Sequence, residues 1–172
     1  KAYNFDDGRG YIEKDWGKSM PSSWIWMQSN SFSTEKTSFM LSVANIPWMG
    51  SSFTGFLGYF LYDSTIYRFG TYTHADLQIE TSSSDTLKIV ISDKDYTYQI
   101  ETYRNKSGIL KAPVKGEMDR RIAESIDAIL ILTVLDKNEK VIYQDSTSIA
   151  GLEIVGDMKV LKGNDKRNRT NK

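Results

Sequence analysis

The chain has no cysteine and a single histidine, His74. The first absence removes disulfides, thiol nucleophiles and thiolate metal sites; the second removes the multi-histidine centres common in zinc chemistry. No metal is expected. Charge of one sign is also lacking: 22 Lys and Arg balance 22 Asp and Glu. No net field draws nucleic acid or an anionic membrane, so a partner must be recognised locally. The longest apolar run, Ala128 to Leu132, is far short of the ~20 residues of a spanning helix and of a signal-peptide core. The expectation is a soluble chain without a transmembrane segment, cytoplasmic rather than secreted. It starts at Lys1 without an initiator Met, which suggests a piece of something longer. A nucleophile elbow, a Walker loop, a dinucleotide fingerprint and a calcium loop are all missing, which argues against standard hydrolases and nucleotide enzymes.

Aromatic residues, by contrast, reach 12 % of the chain, and they fall in short segments separated by turn residues, the distribution of strands. Trp24 to Phe32, Thr37 to Ile46, Gly55 to Tyr62, Thr65 to Tyr72, Asp76 to Thr81, Thr86 to Ser92 and Tyr96 to Tyr103 read as strands. So do Ala128 to Leu135, Lys140 to Asp145 and Ile149 to Val155. Short connections such as Asp63-Ser64 and Asp136 to Glu139 suit hairpins. About ten strands without alternating helices predict an all-β fold, an antiparallel meandering β-barrel over residues 1–161. Gly116 to Asp127 is ambiguous, because Met118, Ile122 and Ile126 fit a short helix or one face of a strand; as a strand it puts Arg120 and Glu124 beside Ile122, where paired charges in a barrel interior become possible. Residues 162–172 hold five basic side chains against one acidic and read as a basic disordered tail. The glycosylation triplets Asn105-Lys106-Ser107 and Asn168-Arg169-Thr170 are assigned no role.

Chemistry concentrates in the block from Tyr11 to Pro21, with Glu13, Lys14, Asp15, Trp16 and Gly17, followed by Trp24 to Phe32. In an extended segment Trp24, Trp26, Gln28, Asn30 and Phe32 share one face and Ile25, Met27, Ser29 and Ser31 the other. Two indoles and two carboxamides on one face fit a polar lining inside an apolar cavity. They fit equally an outer face on which aromatics pack under a neighbouring segment. Glu13 and Asp15 fit a site, or a solvated turn with ion pairs to Lys14 and Lys18.

The same block, with Gly17 and Pro21 at their spacing, resembles the signature of the tocopherol cyclase-like family. Leu110-Lys111-Ala112-Pro113 and the segment Ile149 to Gly156 resemble that family's late motifs, so the similarity spans about residues 5 to 157. The resemblance implies a C-terminal half whose partner is a missing N-terminal domain of the same polypeptide. It also implies a lipocalin-like barrel, through related proteins built from two such domains. Plant members carry Asn where Asp15 stands, which leaves Glu13 the stronger candidate of the two carboxyls.

By that resemblance the activity is closure of a chromanol ring on a prenylated quinol by proton delivery to an alkene, without a redox cofactor. Such chemistry needs a carboxylic acid kept protonated near pH 7 by burial, aromatic faces for the developing positive charge, and exclusion of water. Glu13 is then the catalytic acid, Trp16, Trp24 and Trp26 are walls for the ligand, and Gln28 and Asn30 are partners for ring hydroxyls. Two other readings stand beside this one: a non-catalytic carrier of an apolar small molecule, and a structural half whose barrel is filled by its own side chains. The enzymatic reading expects a closed sheet around an apolar hollow into which the signature points its acid and amides.

Overall fold

The computed structural model describes residues 1–4, 6, 8–81, 83 and 85–161. The proposed tail at 162–172 and the second glycosylation triplet lie outside the described residues. Ten strands form one antiparallel sheet: β1 (Trp24–Ser29), β2 (Ser38–Trp48), β3 (Ser51–Tyr62), β4 (Thr65–Gly70), β5 (Asp76–Thr81), β6 (Thr86–Ser92), β7 (Tyr96–Tyr103), β8 (Gly108–Val114), β9 (Glu117–Asp136) and β10 (Val141–Val155). Among the described residues no helix is long and apolar enough to cross a membrane.

Local chemistry explains the meander. The β2–β3, β3–β4 and β8–β9 hairpins turn through Met49-Gly50, Asp63-Ser64 and Lys115-Gly116, each with both residues at positive φ. That is the two-residue turn whose twist matches the flanking strands. At β9–β10 the Asp136 carboxylate accepts the N–H groups of Asn138 and Lys140 at 2.8 and 3.0 Å and fixes the reversal.

The strands lie in the order β4-β3-β2-β1-β10-β9-β7-β6-β5, with β8 on β9. Strand β9 pairs its first half with β8 and its second half with β7 along one edge, and β10 along the other. The ambiguous segment is therefore strand and continues into the following run. Strand β8 is an addition to the expected set: Pro113 and weak alternation hide it, and both are tolerated on a strand paired to one neighbour only. Strand β10 joins two expected strands, because Thr147 and Ser148 sit at bulges rather than at a turn.

The sheet curls around one core, but its edge strands β4 and β5 are not paired with each other among the described residues. After Gly70 the chain makes a 3-10 turn, Thr71–Thr73, and passes through His74 in the left-handed region, so β5 leaves without forming a hairpin. Curling brings Tyr67 and Phe69 of β4 against Tyr96 and Tyr98 of β7, with ring centroids 5.0 and 4.5 Å apart. Among the described residues the interior is occupied by core side chains rather than by the acid and amides of the early block. Phe39, Phe60, Phe69, Tyr98 and Tyr143 pack there with the aliphatic side chains of β1, β2, β6, β7, β9 and β10, large rings from facing strands meeting at the contact distances of a protein core.

Candidate functional site

Alternation along β1 splits its side chains between two environments. Ile25 and Met27 enter the filled interior, whereas Trp24 faces outward into a second cluster with Ala112 and Ile122, with Met20, Trp26, Ala44 and Val155 packed against it. Trp24 is nonetheless only 3 % exposed, since the segment before β1 covers it. That segment is stitched to the β8–β9 hairpin: Met20 N–H donates to Pro113 O at 3.2 Å and Gly116 N–H to Lys18 O at 2.7 Å. Lys115 N–H donates to Ser19 Oγ at 2.9 Å. Arg120, on the outer face of β9, donates to the carbonyls of Pro21 (2.7 Å) and Ser22 (2.9 Å) and lies 4.6 Å from the Trp24 ring centroid. A guanidinium satisfied by two carbonyls and an indole face is an anchor. It is not the partner of Glu124 inside a barrel that the sequence left open.

Under this segment runs an outer groove of about 450 Å³ lined by Glu13, Asp15, Trp16, Trp24, Trp26 and Glu153, among others. Glu13 accepts hydrogen bonds from the Tyr11 hydroxyl and, at 3.0 Å, from Trp26 Nε1–H. Trp24 Nε1–H donates to Glu153 at 2.5 Å. The register explains the grouping: Trp26 lies opposite Glu153 on one side and Ser42 on the other, and Glu153 lies opposite Glu124. Gly151 makes room for the Trp26 ring, which would lie 2.8 Å from a Cβ placed there.

Two of these carboxyls, Asp15 and Glu153, are shifted upward, whereas Glu13 lies exposed at the groove. Among the described residues neither Glu13, Asp15, Glu124 nor Glu153 has a Lys or Arg within ion-pair distance, and Lys14 sits 5.9 Å from the Trp16 ring instead. Burial pushes the Glu153 carboxyl up, against the Trp24 hydrogen bond, and the negative charges of Glu124, Glu13 and Asp15 add to it. Loss of surrounding water, then the charge and hydrogen bond of Glu13, raise Asp15. No group of three such residues among those described is placed to hold a metal ion.

The upward shift of Glu153 has a consequence for stability. A carboxyl raised on folding contributes stability that is fully present below its unfolded pKa, ~4, and lost as pH rises through its folded value. Glu153→Gln keeps the acceptor for Trp24 and removes the titration. The variant is expected to melt higher than the parent at pH 7, with the difference vanishing at low pH; equal melting temperatures at both pH values would show that Glu153 pays no burial cost.

The structure brings together Glu13, Asp15, Trp16, Trp24 and Trp26. Gln28 and Asn30 do not line the groove: Gln28 faces outward one step further along β1, its Nε2 buried and without a hydrogen-bond partner among the described residues, and Asn30 lies beyond the end of β1. Trp16 is 86 % exposed and forms a rim rather than an enclosed wall. Sequence reasoning missed Glu153, Glu124 and Ala44 as lining residues. Glu153 falls inside the late segment Ile149 to Gly156, but only the pairing of β10 with β1 shows that it meets the early block.

A family model described as tocopherol cyclase-like matches residues 1–156. No curated protein and no solved structure matches the chain.

Proposed function

The chain belongs to the tocopherol cyclase-like family, and we propose that it closes a chromanol-type ring on a prenylated quinol in the outer groove, by acid catalysis from the carboxyls gathered there. The observation that supports this reading is a set of four carboxyls without cationic partners among the described residues, two of them, Glu13 and Glu153, held by tryptophan or tyrosine donors, in a groove that three tryptophans line.

Glu13 is assigned the proton transfer because it lines the groove and is oriented there by Trp26, which lines it too, and by Tyr11. Of its neighbours, Asp15 and Glu153 are raised by burial and by surrounding negative charge and so keep a proton more readily than free carboxyls do. The proton goes to one alkene carbon while the phenolic oxygen bonds to the other, and the hydroxyl proton returns to a carboxylate. Mass is unchanged and no electron is transferred. A carboxylic acid is too weak to convert an alkene into a free cation, so protonation and oxygen attack proceed together. Trp26 offers a face to the charge that develops, Trp24 being covered and already stacked with Arg120.

Incubation with a prenylated hydroquinone tests the reading, on this chain and on the longer polypeptide that the family resemblance implies. The expected product has the substrate's mass and a new chromatographic retention. Bound but unchanged substrate with both proteins would instead establish a carrier, a reading that the open, exposed rim at Trp16 favours.

A further inference from the structure

A second groove, of about 330 Å³, continues from the first across the outer faces of β2 and β3. The two share Ser42 and Ala44 as walls. Beyond that saddle the lining turns apolar, with Ile46, Phe53, Leu57 and Tyr72 around Gly55. No charged residue occurs between Lys36 and Asp63, so no charged side chain comes from either strand there.

The saddle is low for a structural reason. Ala44 lies opposite Gly55 in the β2–β3 register and opposite Trp24 in the β1–β2 register. A Cβ on Gly55 would stand 2.8 Å from the tip of Ile46 and 3.3 Å from the Phe53 ring, so the missing side chain lets these two close a floor beneath open space. The far wall is fixed by Thr71, whose hydroxyl accepts from Phe56 N–H at 2.9 Å and donates to Phe56 O at 3.3 Å. That contact sets Tyr72 beside the groove.

We propose that the second groove holds the hydrocarbon chain of an amphiphile whose polar ring lies among the carboxyls of the first. This rests on the function proposed above and adds where the chain runs. From Glu153 on β10 to Leu57 on β3 the path crosses β1 and β2, roughly 14 Å at ~4.8 Å per strand spacing. Ile46, Phe53 and Leu57 are 38, 43 and 48 % exposed, an apolar surface that such a chain would cover.

The test is a titration of the tryptophan fluorescence with methylhydroquinone and homologues carrying progressively longer alkyl chains, each below the concentration at which it self-associates. Affinity is expected to rise about twofold per methylene for a chain half covered by an open groove, and then to level off when the groove is full. Leu57→Gln and Ile46→Gln, both on exposed side chains, are expected to flatten that rise while leaving methylhydroquinone binding unchanged.

Binding that ignores chain length, or a rise that both variants preserve, overturns this inference and leaves the ring site standing. Alkyl alcohols that bind as well as their hydroquinone counterparts would remove the ring site and leave the chain groove. Absence of binding by every probe overturns both. Self-association of the protein that Leu57→Gln abolishes, or binding to neutral lipid vesicles that ignores the soluble probes, would give the groove to a second copy or to a bilayer and overturn the inference.

Discussion

Phe60→Ala is expected to cost about 3–5 kcal/mol of folding stability, the usual range for removing a fully buried ring. Phe60 has no exposed surface and joins three parts of the curled sheet. Its ring lies 4.9 Å from Tyr143 on β10, 5.7 Å from Tyr67 on β4 and 6.5 Å from Tyr98 on β7. Truncation leaves a cavity bounded by other rings, which are too stiff to collapse into it, and forfeits edge and stacking contacts on several sides. For a domain of this size the loss corresponds to a melting temperature lower by roughly 6–20 °C, at about 2–4 °C per kcal/mol. Urea unfolding measures it directly, and a loss below about 1 kcal/mol would mean that the interior is not packed around this ring.

Glu13→Gln is expected to reduce turnover of a prenylated hydroquinone to background, a fall of at least about 10²–10⁴, the range for losing a general acid. The replacement is nearly isosteric and keeps an oxygen to accept from Tyr11 and Trp26. Unfolding midpoint and binding of a non-reactive quinol should therefore stay close to the parent values, which separates a chemical role from a structural one. The variant also removes a negative charge that raises Asp15 and Glu153, so those two carboxyls titrate at lower pH. Undiminished turnover would take Glu13 out of the mechanism and leave proton delivery to Glu153 or Asp15.

Strand content was legible where apolar alternation met clear turn residues: the expected limits of β5, β6 and β7 are the observed ones. It failed where one residue carried a misleading local signal, as with Pro113 in β8 or Thr147 in β10. The site shows a different limit. Period two separates Trp24 and Trp26 from Ile25 and Met27, but it cannot say which set faces the interior. That choice is made by nonlocal partners. Phe60, Phe69 and Tyr98 fill the space on one side, and Arg120 and Pro113 hold residues 18–22 over the other. Hence the early block is recognisable as a unit, while its location on the outer face of the curled sheet and its meeting with Glu153 are not.

The pairing of β1 with β10, Trp24 opposite Val155, also governs when the groove can exist. During synthesis at ~5–20 residues per second, the first strand waits roughly 6–25 s before its last neighbour leaves the ribosome. Contacts of such sequence separation form slowly. Until then the β1 edge, with two tryptophans beside it, lacks its second hydrogen-bonded neighbour, the condition under which nascent chains recruit chaperones or misassociate.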